Sequence, residues 1–216
     1  MIMKNNNSIP KNVIKRLPRY YRFLGMLLES GIERISSNEL SKRMGLTASQ
    51  IRQDLNHFGG FGQQGYGYNV EQLRENIGEI IGIGNNFSVI LVGAGNLGRA
   101  VAQHLNFEKR GFKLVAIFDS DEKLSGMKIN DTQVRNFSTI SDFCKDNLPT
   151  AAILCVPTAA GKTVTQELYN CGIKAFWNFS HYSITDDFPD AVVENVHLSD
   201  SLMRLCFNIT NREETL

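Results

Sequence analysis

Phe87-Ser88-Val89-Ile90-Leu91-Val92-Gly93-Ala94-Gly95-Asn96-Leu97-Gly98-Arg99-Ala100-Val101-Ala102 decides the fold. Val89 to Val92 is an apolar run of strand length, and Leu97, Val101, Ala102 and Leu105 recur as one face of a helix. Between them, Gly93, Gly95 and Gly98 fit G-x-G-x-x-G. The first glycine permits a tight turn, the second lets backbone approach a pyrophosphate, and the third lets helix pack on strand. Amide groups at the helix N-terminus then face the phosphates, so Gly93, Ala94, Gly95, Asn96, Leu97 and Gly98 are candidate cofactor contacts. A second strand, Lys113 to Phe118, ends in Asp119, about 20 residues past the last glycine, where a ribose-binding carboxylate is expected. Asp121 and Lys123 lie in the loop that borders that ribose. An acid at 119 with no arginine beside it favours NAD over NADP. Two alternatives stay open: a glycine turn that serves packing only, and a related fold that holds another nucleotide such as coenzyme A.

Further on, Ala151 to Val156 reads as a central parallel strand. Val156-Pro157-Thr158 follows at its C-terminal end, where open α/β sheets bind ligands. Ser138 is expected to cap the helix before it, which carries Ile140, Phe143 and Cys144. A helix from about Ala160 to Asn170 leads to a strand over Lys174 to Trp177, and Asn178-Phe179-Ser180 ends that strand on the same ligand edge. Val192, Val193 and Val196 suggest a last strand. Alternating strands and helices predict a doubly wound, Rossmann-type parallel sheet. The tail, about Ser199 to Thr210, is a helix whose apolar stripe (Leu198, Leu202, Leu205, Ile209) is widened by Met203, Cys206 and Phe207. Its own sheet or a second subunit could cover it, and the second subunit is favoured.

Upstream lies a different kind of chain. Residues 1–60 hold 10 Lys/Arg against 4 Asp/Glu, a balance of +6, and residues 61–216 hold 13 against 18, a balance of −5. A basic head on an acidic body suggests a polyanion partner for the head. Pro10 opens a helix that Pro18 is expected to interrupt or restart, and Tyr20, Phe23, Leu24, Leu27 and Leu28 then form an apolar face that Gly31 ends. Ser36 with Glu39 and Thr47 with Gln50 are capping boxes that open two further short helices, with Gly45 between them. This is a helix-turn-helix pattern. Ile51 and Leu55 face the core, which leaves Ser49, Gln50, Arg52 and Gln53 for base edges: arginine suits guanine and glutamine suits adenine. The stretch Phe58-Gly59-Gly60-Phe61-Gly62-Gln63-Gln64-Gly65-Tyr66-Gly67-Tyr68 reads as a wing hairpin, with Gln63, Gln64 and Tyr68 as candidate DNA contacts. A small helical oligomerisation module is the alternative for this head. Glu71 to Ile80 is a connecting helix. The domain boundary falls near Gly84: a winged-helix domain at 1–84, a Rossmann domain at 85–197, and a dimerisation helix and tail at 198–216.

With 216 residues, 42% apolar and 21% charged, the composition is that of a globular protein. No apolar run is long enough for a membrane span, and the polar N-terminus lacks a signal-peptide core. The four cysteines have no metal spacing and read as reduced packing residues of a cytoplasmic protein, with a redox-active thiol as the alternative. No metal is expected. A dehydrogenase would need a substrate domain and an acid/base, for which little chain remains. His181, beside the ligand edge, is the weak candidate for such a group, so no catalytic residue is assigned.

Arg16-Leu17-Pro18-Arg19-Tyr20-Tyr21-Arg22-Phe23-Leu24 resembles the opening helix of the Rex family of redox-sensing transcriptional repressors. Gln50-Ile51-Arg52-Gln53-Asp54-Leu55 and the glycine-rich stretch to Tyr68 resemble its recognition helix and wing. Gly93 to Gly98, Phe118-Asp119-Ser120-Asp121, Asn178-Phe179-Ser180 and Val193-Glu194-Asn195-Val196 are similar further on. The resemblance spans almost the whole chain. It implies a homodimer with a swapped C-terminal helix, NAD or NADH as ligand, and operator DNA that NADH releases. It also implies departures. Gln53 stands where lysine is common, and Gln64 where the wing commonly carries a base. His104 and His197 replace a tyrosine and an acid that can form a signal relay with the arginine matching Arg22, and His181 stands where proline is usual.

Overall fold

The computed structural model describes residues 9–58, 62–63 and 66–213, with the side chains of 62, 63, 212 and 213 left aside. The chain divides into two compact units, Met1–Gly84 and Asn85–Leu216.

In the first unit, α1 runs from Lys11 to Glu29. Pro18 sits inside it instead of breaking it. The residue is exposed, so the carbonyl of Ile14 that loses its amide partner can turn to water. Helix α1 ends at a left-handed Gly31 (φ 72°), where the Ile32 amide donates to the Leu27 carbonyl at 2.9 Å. The two capped helices follow as α2 (Ser37–Met44) and α3 (Ala48–Asn56). Ser36 Oγ accepts from the Glu39 amide and Thr47 Oγ1 from the Gln50 amide, each at 3.1 Å. Each oxygen satisfies one of the orphan amides of a helix start. Strands β1 (Arg34–Ile35), β2 (Gly62–Gln63) and β3 (Gly67–Asn69) form a small antiparallel sheet in the order β1-β3-β2. Helix α4 (Val70–Ile80) closes the unit and packs on α1. Leu17, Tyr20, Leu24, Leu40, Ile51, Leu73 and Ile77 are all fully buried in one cluster, each such apolar side chain stabilising the fold by about 1.5–3 kcal/mol.

The second unit begins with β4 (Phe87–Val92), α5 (Asn96–His104) and β5 (Phe112–Asp119). A hairpin of β6 (Lys128–Ile129) and β7 (Thr132–Asn136) follows, unanticipated in the sequence. Then come α6 (Ile140–Asn147), β8 (Ala151–Leu154), α7 (Thr158–Asn170), β9 (Ala175–Asn178), the single-turn α8 (Ile184–Asp187) and β10 (Val192–Asn195). The sheet order is β10-β9-β8-β4-β5-β7-β6, parallel except for β6. Its six parallel strands therefore take the order 3-2-1-4-5-6 of the doubly wound nucleotide-binding fold. Strand β4 is buried on both faces: Ile90 and Val92 enter one core with α6 and α7, Val89 and Leu91 the other with α5. Ser138 does not cap α6. Its own amide instead donates to Asn136 Oδ1 at 2.9 Å, which caps a 3-10 turn before the helix. Helix α9 (Leu198–Glu213) ends the described chain. Its apolar stripe is uncovered: Leu202 is 63% and Phe207 69% exposed.

Candidate nucleotide site and nucleic-acid interface

The glycine turn joins β4 to α5 at the C-terminal edge of the sheet, between the neighbouring strands β5 and β8. Its three glycines meet different demands. Gly93 has φ 100°, and a Cβ there would lie 2.4 Å from the Cys155 carbonyl oxygen. A Cβ on Gly98 would lie 1.8 Å from the Gly93 carbonyl oxygen. Both glycines are required by packing. A Cβ on Gly95 would meet nothing within 4 Å. Gly95 thus leaves open space over the start of α5, whose first turn has no side-chain cap. Uncapped amides beside open space are what a phosphate needs.

Asp119, the last residue of β5, fixes this turn. Its Oδ2 accepts from the Ala94 amide at 2.6 Å and its Oδ1 from the Asp121 amide at 2.8 Å. Arg99 Nε donates to the Ala94 carbonyl at 2.8 Å and pins the turn from the helix side. A cavity of about 440 Å³ opens here, lined by Gly93, Gly95, Asn96, Leu97, Asp119, Val156, Pro157 and Phe179, and also by Ser120, Phe137 and Cys155. The residues present fit a dinucleotide: an open glycine at a helix N-terminus, a carboxylate one strand away, and apolar walls.

Some expected contacts have other roles. Asn178 and Ser180 are each 1% exposed. Asn178 Nδ2 donates to the Tyr182 carbonyl and to Asn195 Oδ1, and Ser180 Oγ donates to Asn178 Oδ1 at 2.6 Å. They brace the turn after β9, and Phe179 alone of the three lines the cavity. Thr158 Oγ1 donates to the Ser180 carbonyl at 2.7 Å, tying the start of α7 to the same turn. Ala94 is buried and offers backbone only. Asp121 and Lys123 are exposed, and Asp121 Oδ1 accepts from the Lys123 amide at 3.0 Å.

The first unit presents α3 as a separate surface. Ser49, Arg52 and Gln53 are exposed. Arg52 Nη1 donates to Ser37 Oγ at 3.0 Å, which holds its guanidinium at the helix-turn-helix surface. Gln50 is half-buried, and its Nε2 donates inward to Asp54 Oδ1 at 2.8 Å. Asp54 itself is fully buried. Arg16 grips both of its oxygens at 2.7 Å, and the Tyr20 hydroxyl donates to Oδ2 at 2.9 Å. Burial alone would raise the Asp54 carboxyl, yet the hydrogen bonds from Arg16, Gln50 and Tyr20 hold it below the ordinary carboxylate range. Tyr68 is 9% exposed and belongs to the core of this unit. It is corrected from a DNA contact to a packing residue, because its register in β3, opposite Ile35 and Gly62, turns it inward. Gln64 and the side chain of Gln63 lie outside the described residues.

Of the expected relay, Arg22 lies exposed on α1 in the first unit, and His104 and His197 are exposed in the second. His197 meets His181 instead: their Nδ1 atoms lie 2.7 Å apart. The ring planes differ by 19° and the centroids are 4.9 Å apart. Ring faces cannot approach within about 3.5 Å, so the rings meet end to end through one N–H···N bond and do not stack. His181 has φ 61°, which the ring of a proline could not adopt. The pair links the turn after β9 to the residue preceding α9. Among the described residues, no group of three or more His, Cys, Asp or Glu side chains could hold a metal ion. No helix among them is long and apolar enough to cross a membrane.

A winged helix-turn-helix unit joined to a dinucleotide-type unit is the composition of a ligand-responsive transcriptional regulator. Residues 8–56 match the family model "Putative DNA-binding protein N-terminus", and residues 84–182 match "CoA binding domain". The chain is 48% identical to the redox-sensing transcriptional repressor Rex of Thermoanaerobacter pseudethanolicus over 98% of its own length and 94% of that protein's. It is 47% identical to the Clostridium perfringens repressor of the same name, over 98% and 99%. Among solved structures it is similar to RSP, a Rex-family repressor, with TM-score 0.86 and 46% identity over 97% of this chain and 99% of that one. RSP has also been crystallised with NADH (TM-score 0.87, 44% identity, 97% and 98% covered) and with NAD+ and operator DNA (0.86, 47%, 97% and 96%). The chain belongs to the Rex family of redox-sensing transcriptional repressors.

Proposed function

We propose that this protein acts as a cytoplasmic homodimer, represses transcription by holding operator DNA, and lets it go when NADH replaces NAD. The observation that carries this is the open face of Gly95 beside Asp119, at the C-terminal edge of a 3-2-1-4-5-6 sheet. The α5 amides hold the pyrophosphate and Asp119 accepts from the ribose, displacing none of the packing that Gly93 and Gly98 require. Asp121 and Lys123 border the ribose. Val156, Pro157, Thr158 and Phe179 frame the nicotinamide side, with Asn178 and Ser180 bracing from behind. NAD or NADH supplies the redox-dependent charge and shape of the nicotinamide, and the protein performs no hydride chemistry of its own.

Ser49, Arg52 and Gln53, with the free oxygen of Gln50, read the major groove, and Gln63 and Gln64 of the hairpin follow the backbone. The relay through Arg22, His104 and His197 lacks a carboxylate. The His181–His197 bond is the route that these residues support instead, from the ligand-edge turn to the root of α9. The α9 stripe packs against the second subunit, in a swapped arrangement.

The test is fluorescence anisotropy of a labelled palindromic operator, titrated with NADH and separately with NAD at fixed salt. NADH is expected to release the DNA at concentrations where NAD does not. Equal release by both, or by neither, overturns the proposal. A ligand moves a two-state equilibrium only by its differential affinity for the two states.

A further inference from the structure

A second cavity of about 570 Å³ lies away from the glycine turn, between α6 and α7. Its walls include Cys144 and Cys171, with Lys145 and Glu167 at its polar side. Cys144 occupies the last turn of α6 and Cys171 is the residue that closes α7. The two helices pack on each other, and both side chains join the same apolar cluster. Neither is in a disulfide. Cys144 is buried and Cys171 half-buried, so Cys171 is the one that solutes reach. Both cysteines line the same cavity, and burial first, then the neighbouring Cys171, pushes the Cys144 thiol up, to about 12.

The geometry points to Cys144 and Cys171 as an oxidant-responsive dithiol that closes to an intramolecular disulfide under peroxide. Cys171 Sγ, as thiolate, attacks a peroxide oxygen. The S–O bond forms, the O–O bond breaks, and the departing hydroxide takes a proton to become water. Cys144 Sγ then attacks the sulfenic sulfur. The S–S bond forms, the S–O bond breaks, and the leaving hydroxide carries off the Cys144 proton as a second water. The two thiols supply two electrons and the peroxide accepts them. The division of labour follows from access: the half-buried Cys171 meets peroxide first, and Cys144, lining the same cavity, closes on the oxidised sulfur. Transient pairs of this kind are how disulfides occur in reducing compartments.

The site also has leverage. Thr158, Ala160 and Val164 belong to α7, and Ala160 and Val164 line the nucleotide cavity. A covalent tie at the far end of that helix would fix its seating.

The experiment treats the full-length reduced protein with hydrogen peroxide, quenches by alkylation, and maps peptides by mass spectrometry. A Cys144–Cys171 linked peptide is expected, with two of the four thiols lost and dithiothreitol restoring both. Cys144→Ser should leave Cys171 as a sulfenic acid captured by dimedone, whereas Cys171→Ser should leave Cys144 unreacted. Both thiols remaining alkylatable in the native protein, sulfinic acid without a crosslink, or crosslinks only between subunits through Cys206 would each overturn the assignment. The native-protein map stands whether or not either variant folds.

Discussion

Gly95 and Gly98 lie three residues apart and answer to different masters. Gly98→Ala would drive a methyl into the Gly93 carbonyl oxygen, and overpacking of this kind costs about 1–3 kcal/mol or more. That variant should melt lower and lose NADH together. Gly95→Ala meets nothing within 4 Å, at a φ of −68° that alanine accepts readily. It should keep the melting temperature of the native protein and still lose NADH, because its methyl fills the space a pyrophosphate would enter. Thermal melts beside NADH fluorescence titrations separate the two; equal NADH affinity in Gly95→Ala would remove the glycine turn from the binding site. Asp54 supplies the residue-scale pH effect. Its folded carboxyl sits lower than its unfolded one, so its contribution to stability is complete above the ordinary carboxylate range, near 4. That contribution is lost as pH falls through the lowered folded value. Arg16→Met leaves the buried charge with only Tyr20 and Gln50. It should cost about 3 kcal/mol at neutral pH, read by urea unfolding, with the deficit shrinking as acid neutralises Asp54.

At the scale of elements, α9 is the test piece. Its exposed leucines, Met203 and Phe207 bury only a minority to about half of their surface in their own chain as described. Leu202→Asp combined with Phe207→Asp should therefore leave the thermal melt of a dilute sample almost unchanged while weakening the proposed dimer by about 100-fold or more. Sedimentation velocity measures this, and an unaltered dimer would move the interface elsewhere. Elements with local punctuation were legible in the sequence: Ser36, Thr47, Gly31 and Gly45 mark their helix ends where the structure has them. Pro18 misled because a proline on a solvent face costs a helix less than one facing the core. The β6–β7 hairpin escaped because Ile129 and Val134 are its only buried side chains, too few to show a period. Asp54 escaped for another reason. Its partner Arg16 is 38 residues away, and nothing local separates a buried carboxylate from a surface one. The strand, glycine turn and helix start were legible, but the bonds that Asp119 and Arg99 make to Ala94 were not, and the inward turn of Asn178 and Ser180 was decided by hydrogen bonds to Tyr182 and Asn195 that no spacing rule reports.

For the whole molecule, the change of charge near residue 60 falls inside the first unit, which runs to Gly84. The balance of +6 over residues 1–60 against −5 over the rest confines attraction for a polyanion to the head. Operator affinity should fall steeply with salt, and the slope should count the phosphate contacts made by the head alone. Gln53 is exposed on α3. Gln53→Lys should tighten operator binding and steepen the log–log salt slope by about 0.9 for each phosphate contact added. Anisotropy at several salt concentrations reads both, and an unchanged slope would mean that position 53 faces away from the backbone.

The contact between Gly98 and the Gly93 carbonyl also constrains how such a protein can change over generations. A lineage that no longer needs to hear the nucleotide cannot silence it by letting Gly98 or Gly93 drift without also losing stability. Gly95 is the one position of the three where a side chain meets nothing in the fold, so it is where deafness should come without a loss of stability. Among descendants that keep the fold and abandon the signal, the substitution at 95 should come first.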